Sequence, residues 1–202
     1  MTDIVLGADG RPRCGWCRAA PEFFDYHDRE WGFPVADDRR LFEKICLESF
    51  QSGLSWRTIL AKRENFRAAF AGFDFRAMAE FGDADIARLM ADAGIVRHRG
   101  KIDAVINNAR RACEMADREG SLAAFFWGYE PARADLPRPQ TASVTPGSVA
   151  LSRALKAQGW KFVGPTTAFA FMQAMGLVND HAEGCVIRAE AAQARAVFSP
   201  PR

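Results

Sequence analysis

No apolar run in the chain is long enough to cross a bilayer, and the opening segment, MTDIVLGADGRPRC, has no basic start followed by an apolar stretch. These absences speak against a membrane protein and predict a cytoplasmic one. A strong charge of either sign is also missing: Lys+Arg 27 against Asp+Glu 25 leaves a formal +2, so any surface for a polyanion must be local. Sustained alternation of apolar and polar residues rich in Val, Ile and Thr is nearly absent, which argues against sheet architectures and for an all-α fold. The five cysteines, Cys14, Cys17, Cys46, Cys113 and Cys185, are an odd number, which favours thiols, metal ligation or catalysis over a disulfide framework. There is no internal repeat.

What is present is the composition of a globular protein, 49% hydrophobic and 26% charged over 202 residues, enough for one domain or two small lobes. Helical stripes recur. Leu41, Phe42, Ile45 and Cys46 follow Asp37 and Asp38. A second helix is expected to run from a Ser55 cap to Phe70, and a third from an Asp83 cap to a Gly94 stop. The stretch 100–120 buries Ile102, Val105, Ile106 and Ala109 and ends at Gly120, after which Ser121 can cap LAAFFWG. Four prolines punctuate a connecting loop over 129–147, and helices resume over 148–159 and 165–176. Residues 1–13 read as an extension, 14–187 as a single helical domain, and 188–202 as a frayed tail.

Three local patterns carry chemistry. In VNDHAEGC, His181 and Cys185 are four residues apart, a spacing that on a helix would let both grip one ion and that equally suits two core residues. The tight connection GWKFVG, 159–164, lies between two helices; it suits an ordinary turn, or backbone N–H groups and a helix N-terminus aimed at a phosphate. RHRGK, 97–101, is a second short basic cluster, of a kind that is usually solvated surface. Trp16, Tyr26, Trp31 and Trp56 crowd the N-terminal third, and Glu48 sits inside the apolar helix pattern ICLESF. Aromatics at these spacings commonly serve the core. A carboxylate there either faces water or has a partner that offsets its desolvation, and among aromatic faces it would suit a flat cationic ligand.

The motifs CGW (14–16), YHDREWG (26–32), LFEKICLES (41–49), SGLSW (52–56), KRENFRAAF (62–70), AGIVRHRGKIDAVINNAR (93–110) and KFVGPTTAFAFMQAMGLVNDH (161–181) resemble the bacterial 3-methyladenine DNA glycosylase I family of the helix-hairpin-helix superfamily. The resemblance covers nearly all of 14–185. It implies an all-α helix-hairpin-helix glycosylase architecture and hydrolysis of the N-glycosidic bond of N3-methyladenine in double-stranded DNA, leaving an abasic site. It further implies one structural zinc held by Cys14, His27, His181 and Cys185, joining the two ends of the chain. Cys17 makes CGWC a CxxC pair, a fifth candidate for four positions; Cys14 is the ligand expected. The base pocket it implies comprises Glu48 as the catalytic residue, with Tyr26, Trp56, Trp16, Trp31 and Phe23 as binding residues. Gly53, Leu54, Lys161, Gly164 and Thr166 are the DNA contacts. Phe23 replaces a second tyrosine, and Ser49-Phe50 replaces a Gly-Gln pair, a change expected to alter the pocket rim. Asp180, in VNDH, is not expected to act as a base.

Overall fold

The computed structural model describes residues 3–201. Its order is β1 (Ile4–Leu6), β2 (Pro12–Cys14), α1 (Glu22–Arg29), α2 (Asp38–Gln51), α3 (Trp56–Ala61), α4 (Arg63–Ala69), α5 (Phe75–Ala79) and α6 (Asp83–Ala91). There follow α7 (Arg99–Glu119), α8 (Leu122–Trp127), α9 (Pro146–Ala157), α10 (Pro165–Ala174) and α11 (Ile187–Val197). The helical expectation holds, with one addition. Residues read as an extension form an antiparallel hairpin pairing Ile4 with Cys14, Val5 with Arg13 and Leu6 with Pro12. Three-residue strands are too short to show alternation; this pair is held by Arg13, which bonds Asp9 in the hairpin's own turn and Asp28 on α1.

The expected caps are in place: Asp37 accepts from the Arg40 N–H, Ser55 from Thr58 and Ser121 from Ala124, while Gly120 ends α7 at φ 85°. Other boundaries shift. The helix expected from Ser55 to Phe70 is broken at Lys62, whose Nζ donates to the carbonyls of Ala93 and Gly94 at 2.9 and 3.1 Å. α6 is capped at Gly82 rather than Asp83 and stops at Ala91, where Asp92 turns the chain by accepting from the Gly94 N–H. The C-terminal tail is not frayed through Val197: α11 buries Ile187 and Ala191 and is pinned by a two-bond Arg195–Glu130 pair.

Helix α2 is the centre of the molecule, packing against α10, α7 and α8. Leu41, Phe42, Ile45, Cys46 and Phe50 are completely buried along it. Burial of each large side chain contributes about 1.5–3 kcal/mol. Phe50 meets Phe66 at 4.7 Å between ring centres, and Phe66, Phe70 and Phe73 stack in series behind it. This immobile base leaves the side of α2 carrying Lys44 and Glu48 turned toward α1 and α3. Gly32, at φ 85°, closes the neighbouring wall; a Cβ there would lie 2.5 Å from the His181 ring.

Candidate active site: an aromatic recess beside a thiol and imidazole cluster

A recess of about 290 Å³ opens between α1, α2, α3 and α10, lined by Trp16, Phe23, Tyr26, Trp31, Glu48 and Trp56, with Gln51, Gln140, Ala170 and Gln173 completing it. All six side chains assigned to base recognition from sequence therefore converge. Tyr26 and Trp56 stand 5.4 Å apart between ring centres, and Trp16 meets Trp31 edge-on at 5.2 Å and Phe23 at 5.7 Å. Glu48 is 6% exposed, so its carboxylate is inside the wall and not in bulk water.

The partner that offsets its desolvation is Lys44, one turn earlier on α2. Its Nζ lies 2.8 Å from Glu48 Oε1, donates to the Tyr26 hydroxyl at 2.6 Å, and stands 3.6 Å from the Trp56 ring centre. Burial pulls the Lys44 ammonium below its ordinary range, against the opposing pull of Glu48. Burial, and then the Glu48 charge, push the Tyr26 phenol well up, so it stays protonated. Trp56 Nε1 is buried with no acceptor among the described residues.

Behind this wall lies a cluster of thiols and imidazoles. One ligand atom each from Cys14, His27 and Cys185 lie within 4.8 Å of one another, and all three residues are buried. Asp28 Oδ1 holds His27 Nδ1 at 2.8 Å, which turns Nε2 toward Cys185 Sγ at 3.5 Å. His181 adjoins the cluster, its ring centre 5.0 Å from that of His27; Asn179 Oδ1 occupies its Nδ1 at 2.9 Å, and its Nε2 is buried without a partner. Burial lowers His181 to about 4, which keeps it the neutral imidazole that a cation needs. Two thiols, two imidazoles fixed from behind and one orphaned buried nitrogen fit a closed tetrahedral ion. His181 and Cys17 both fall outside the three-residue group; His181 is the fourth candidate because its buried Nε2 is orphaned beside the His27 ring, whereas desolvation pushes the buried Cys17 thiol to about 12. The helical premise for His181 and Cys185 is corrected: the two lie in the loop between α10 and α11, with Gly184 at φ 89°. The cluster braces the recess, since Trp31 packs 4.7 Å from His181 and Trp16 5.2 Å from His27.

The connection between α9 and α10 is held as rigidly. The Asn108 side chain bonds both the N–H and the carbonyl of Lys161, Ser152 donates to the Val163 carbonyl, and Ser49 Oγ lies 3.0 Å from the Phe162 carbonyl. Lys161, Phe162 and Thr166 are exposed, and Gly164 is the N-cap of α10. Just past the C-terminal end of α2, Gly53 at φ 80° and Leu54, 42% exposed, form the tip of a turn. Lys101 secures that tip by donating to the carbonyls of Phe50 and Ser52 at 2.8 and 2.6 Å, so the end of RHRGK is a buried clamp and not solvated surface.

The methyladenine glycosylase family model matches residues 16–189. The chain belongs to the methyladenine glycosylase family. DNA-3-methyladenine glycosylase 1 of Escherichia coli is 49% identical over 177 residues, which cover 86% of this chain and 95% of that protein. A crystal structure of a 3-methyladenine DNA glycosylase I matches with TM-score 0.80 and 47% identity, covering 86% of this chain and 98% of the other. The Staphylococcus aureus 3-methyladenine DNA glycosylase I, solved for the structural basis of 3-methyladenine recognition, matches at TM-score 0.78 and 36% identity over 84% and 92%.

Within this family frame, neither Ser49 nor Phe50, the pair expected to change the pocket rim, lies on the recess. Ser49 is 1% exposed and bonded to the α9–α10 connection, and Phe50 is wholly inside the core; the rim residue is Gln51. Asp180 is occupied structurally: it accepts from the Gln140 N–H at 3.0 Å and from Gln173 Nε2 at 2.6 Å, tying the 129–147 loop to α10. Sequence reading missed Lys44, Gln51, Gln140 and Gln173. A signal existed only for Lys44, whose i, i+4 spacing to Glu48 in KICLE marks an ion pair.

Proposed function

We propose that the protein is a monofunctional DNA glycosylase that hydrolyses the N-glycosidic bond of N3-methyladenine in alkylated duplex DNA and leaves an abasic site. The observation that carries this reading is the buried Glu48 carboxylate in the wall of an aromatic recess of about 290 Å³. The relatives named above, which are 3-methyladenine glycosylases, supply the lesion.

A base can reach this recess only by leaving the stack. Extrusion costs a few kcal/mol and is cheapest for a damaged base. In a helix-hairpin-helix arrangement the α9–α10 connection would grip phosphates through the exposed Lys161 side chain, Gly164 and the first-turn Thr166. Lys161's own N–H is already bonded to Asn108, so its ammonium is the group left for the phosphate. Leu54, 42% exposed beside Gly53, would fill the gap in the duplex. The flipped base would stack on Tyr26 and Trp56, with Trp16, Trp31 and Phe23 as the far wall. Glu48 would accept a hydrogen bond from the base. Methylation makes the base cationic, so when the C1′–N9 bond breaks its electron pair leaves with a neutral base and no strong general acid is required. Water then adds to C1′ and gives up a proton, and no side chain is assigned as its base.

Cys14, His27, His181 and Cys185 would hold one zinc ion, whose role is to tie the N-terminal hairpin to the α10–α11 loop and stiffen the Trp16 and Trp31 wall. No helix of the described residues is long and apolar enough to cross a membrane. Incubating methylated duplex with the protein and chromatographing the released bases tests the reading. N3-methyladenine is the expected product. N7-methylguanine as the main product, strand nicks without base treatment, or binding of lesion DNA with no base released would overturn it.

A further inference from the structure

Glu48 is not an isolated anion. Its one ion pair among the described residues is to Lys44, which is 6% exposed. Lys44 does not line the base recess. It lines a small cleft on the other side of the Tyr26 and Trp56 pair, together with Glu30, Arg40, Glu43, Arg63 and Arg67. The other charges there are largely cancelled, since Arg63 pairs with Glu30 and Arg67 with Glu43. Lys44 therefore touches the recess through three intermediaries: the Glu48 carboxylate, the Tyr26 hydroxyl and the Trp56 ring.

We propose that Lys44 is a positioning and specificity-determining residue that makes the recess electrically neutral before a base enters, narrowing its preference for cations and admitting uncharged purine-shaped bases. The inference rests on the glycosylase reading above. Each intermediary carries part of the effect. Glu48 Oε1 is engaged, which fixes the carboxylate, and Oε2 would be the oxygen left for an incoming base. The ammonium over Trp56 already draws on the negative face of that ring, which weakens its pull on a second cation. Tyr26, as acceptor from Lys44, keeps its own proton to donate. An uncharged base loses little by this arrangement, because stacking area and hydrogen bonds remain; a cation loses the attraction of an unopposed carboxylate.

The test uses the whole protein and two ligands of one shape: 3,9-dimethyladeninium, a permanent cation, and its uncharged 3-deaza isostere. Tryptophan fluorescence gives both dissociation constants for the parent, Lys44→Met and Lys44→Arg, with thermal unfolding to verify folding and Lys44→Gln in reserve should the Met variant not fold. Removing the charge should raise the preference for the cation by roughly tenfold or more, while Lys44→Arg should stay within about threefold of the parent. A preference unchanged in Lys44→Met or Lys44→Gln, or shifted as far by Arg as by Met, overturns the proposal. Release of N3-methyladenine from methylated duplex by the parent is scored separately. Its failure sinks the glycosylase reading and not the ratio.

Discussion

Replacing Glu48 by Gln should produce two losses of different size that respond differently to a second substitution. The carboxylate is 6% exposed and bonded to an equally buried ammonium at 2.8 Å, so the variant keeps the shape and discards the charge. Toward a cationic base, a charge-assisted hydrogen bond becomes a neutral one. The loss is about 1–2 kcal/mol, or roughly 5–30-fold in kcat/KM for N3-methyladenine release under single-turnover conditions. It would be greater were the Glu48 charge not already opposed. Toward folding the cost is larger, because Lys44 is left buried without its anion. Breaking a buried pair from one side costs about 3–5 kcal/mol, which lowers Tm by roughly 6–20 °C for a chain of this size. The pH dependence has a defined sign. Burial holds the Lys44 pKa below 10.5 in the folded protein, so between the two values the unfolded chain binds the extra proton and stability rises with pH. Without Glu48 that window opens at lower pH, so the Tm deficit of Glu48→Gln should shrink as pH rises from about 7 toward 10. Adding Lys44→Met should restore most of the Tm, because neither charge is then left alone. Calorimetry on the parent, the single and the double variant checks the folding part. A double variant no more stable than Glu48→Gln, with kcat/KM of the single variant within about twofold of the parent, would refute the paired-charge account of this wall.

Chelation should remove one zinc per chain, measured by atomic absorption, and lower Tm. In the stripped protein His181 adds an acid sensitivity. Its folded value of about 4 lies below the unfolded 6.5, so stability is full above 6.5 and falls by about 3 kcal/mol as pH drops to 4, as thermal melts will report. Lys161→Ala should weaken duplex binding uniformly across sequences and reduce the slope of log affinity against log salt by about one, read by fluorescence anisotropy at several ionic strengths. Asp180→Asn should lower kcat/KM by less than about tenfold, because the carboxylate anchors Gln140 and Gln173 instead of activating water, whereas loss of a general base would cost about 100-fold or more. Turnover assays on methylated duplex distinguish the two.

What could be read in advance divides by the range of the interaction that decides it. Ser55, Ser121 and Gly120 act within four residues of themselves, and all three end or begin helices where the string indicates. The break at Lys62 depends on carbonyls some thirty residues away, and the strands β1 and β2 depend on Arg13 finding Asp28 across the chain. The Ala-rich C-terminus reads as frayed because Ala has little surface to bury, but two distant acid-base pairs, Arg11 with Glu190 and Arg195 with Glu130, hold α11 in place. The recess shows the same division inside one site. Trp16, Tyr26, Trp31, Trp56 and Glu48 stand out in the string itself, the resemblance adds Phe23 and their roles, and all six converge. Whether a carboxylate is a free anion or half of a pair changes the chemistry of the site completely, and that was decided by a lysine one turn away whose spacing is a local signal. Lys44 does not stand out in the string because Lys in a helix ordinarily faces water, where the energy of its pair would be small. In the molecule the same pair is enclosed by Tyr26 and Trp56, where reduced screening strengthens the attraction and makes either charge costly to leave alone. A periodic apolar helix containing both signs of charge at i and i+4 is therefore better read as one buried pair than as two solvated residues, and the function of such a site follows from the pair.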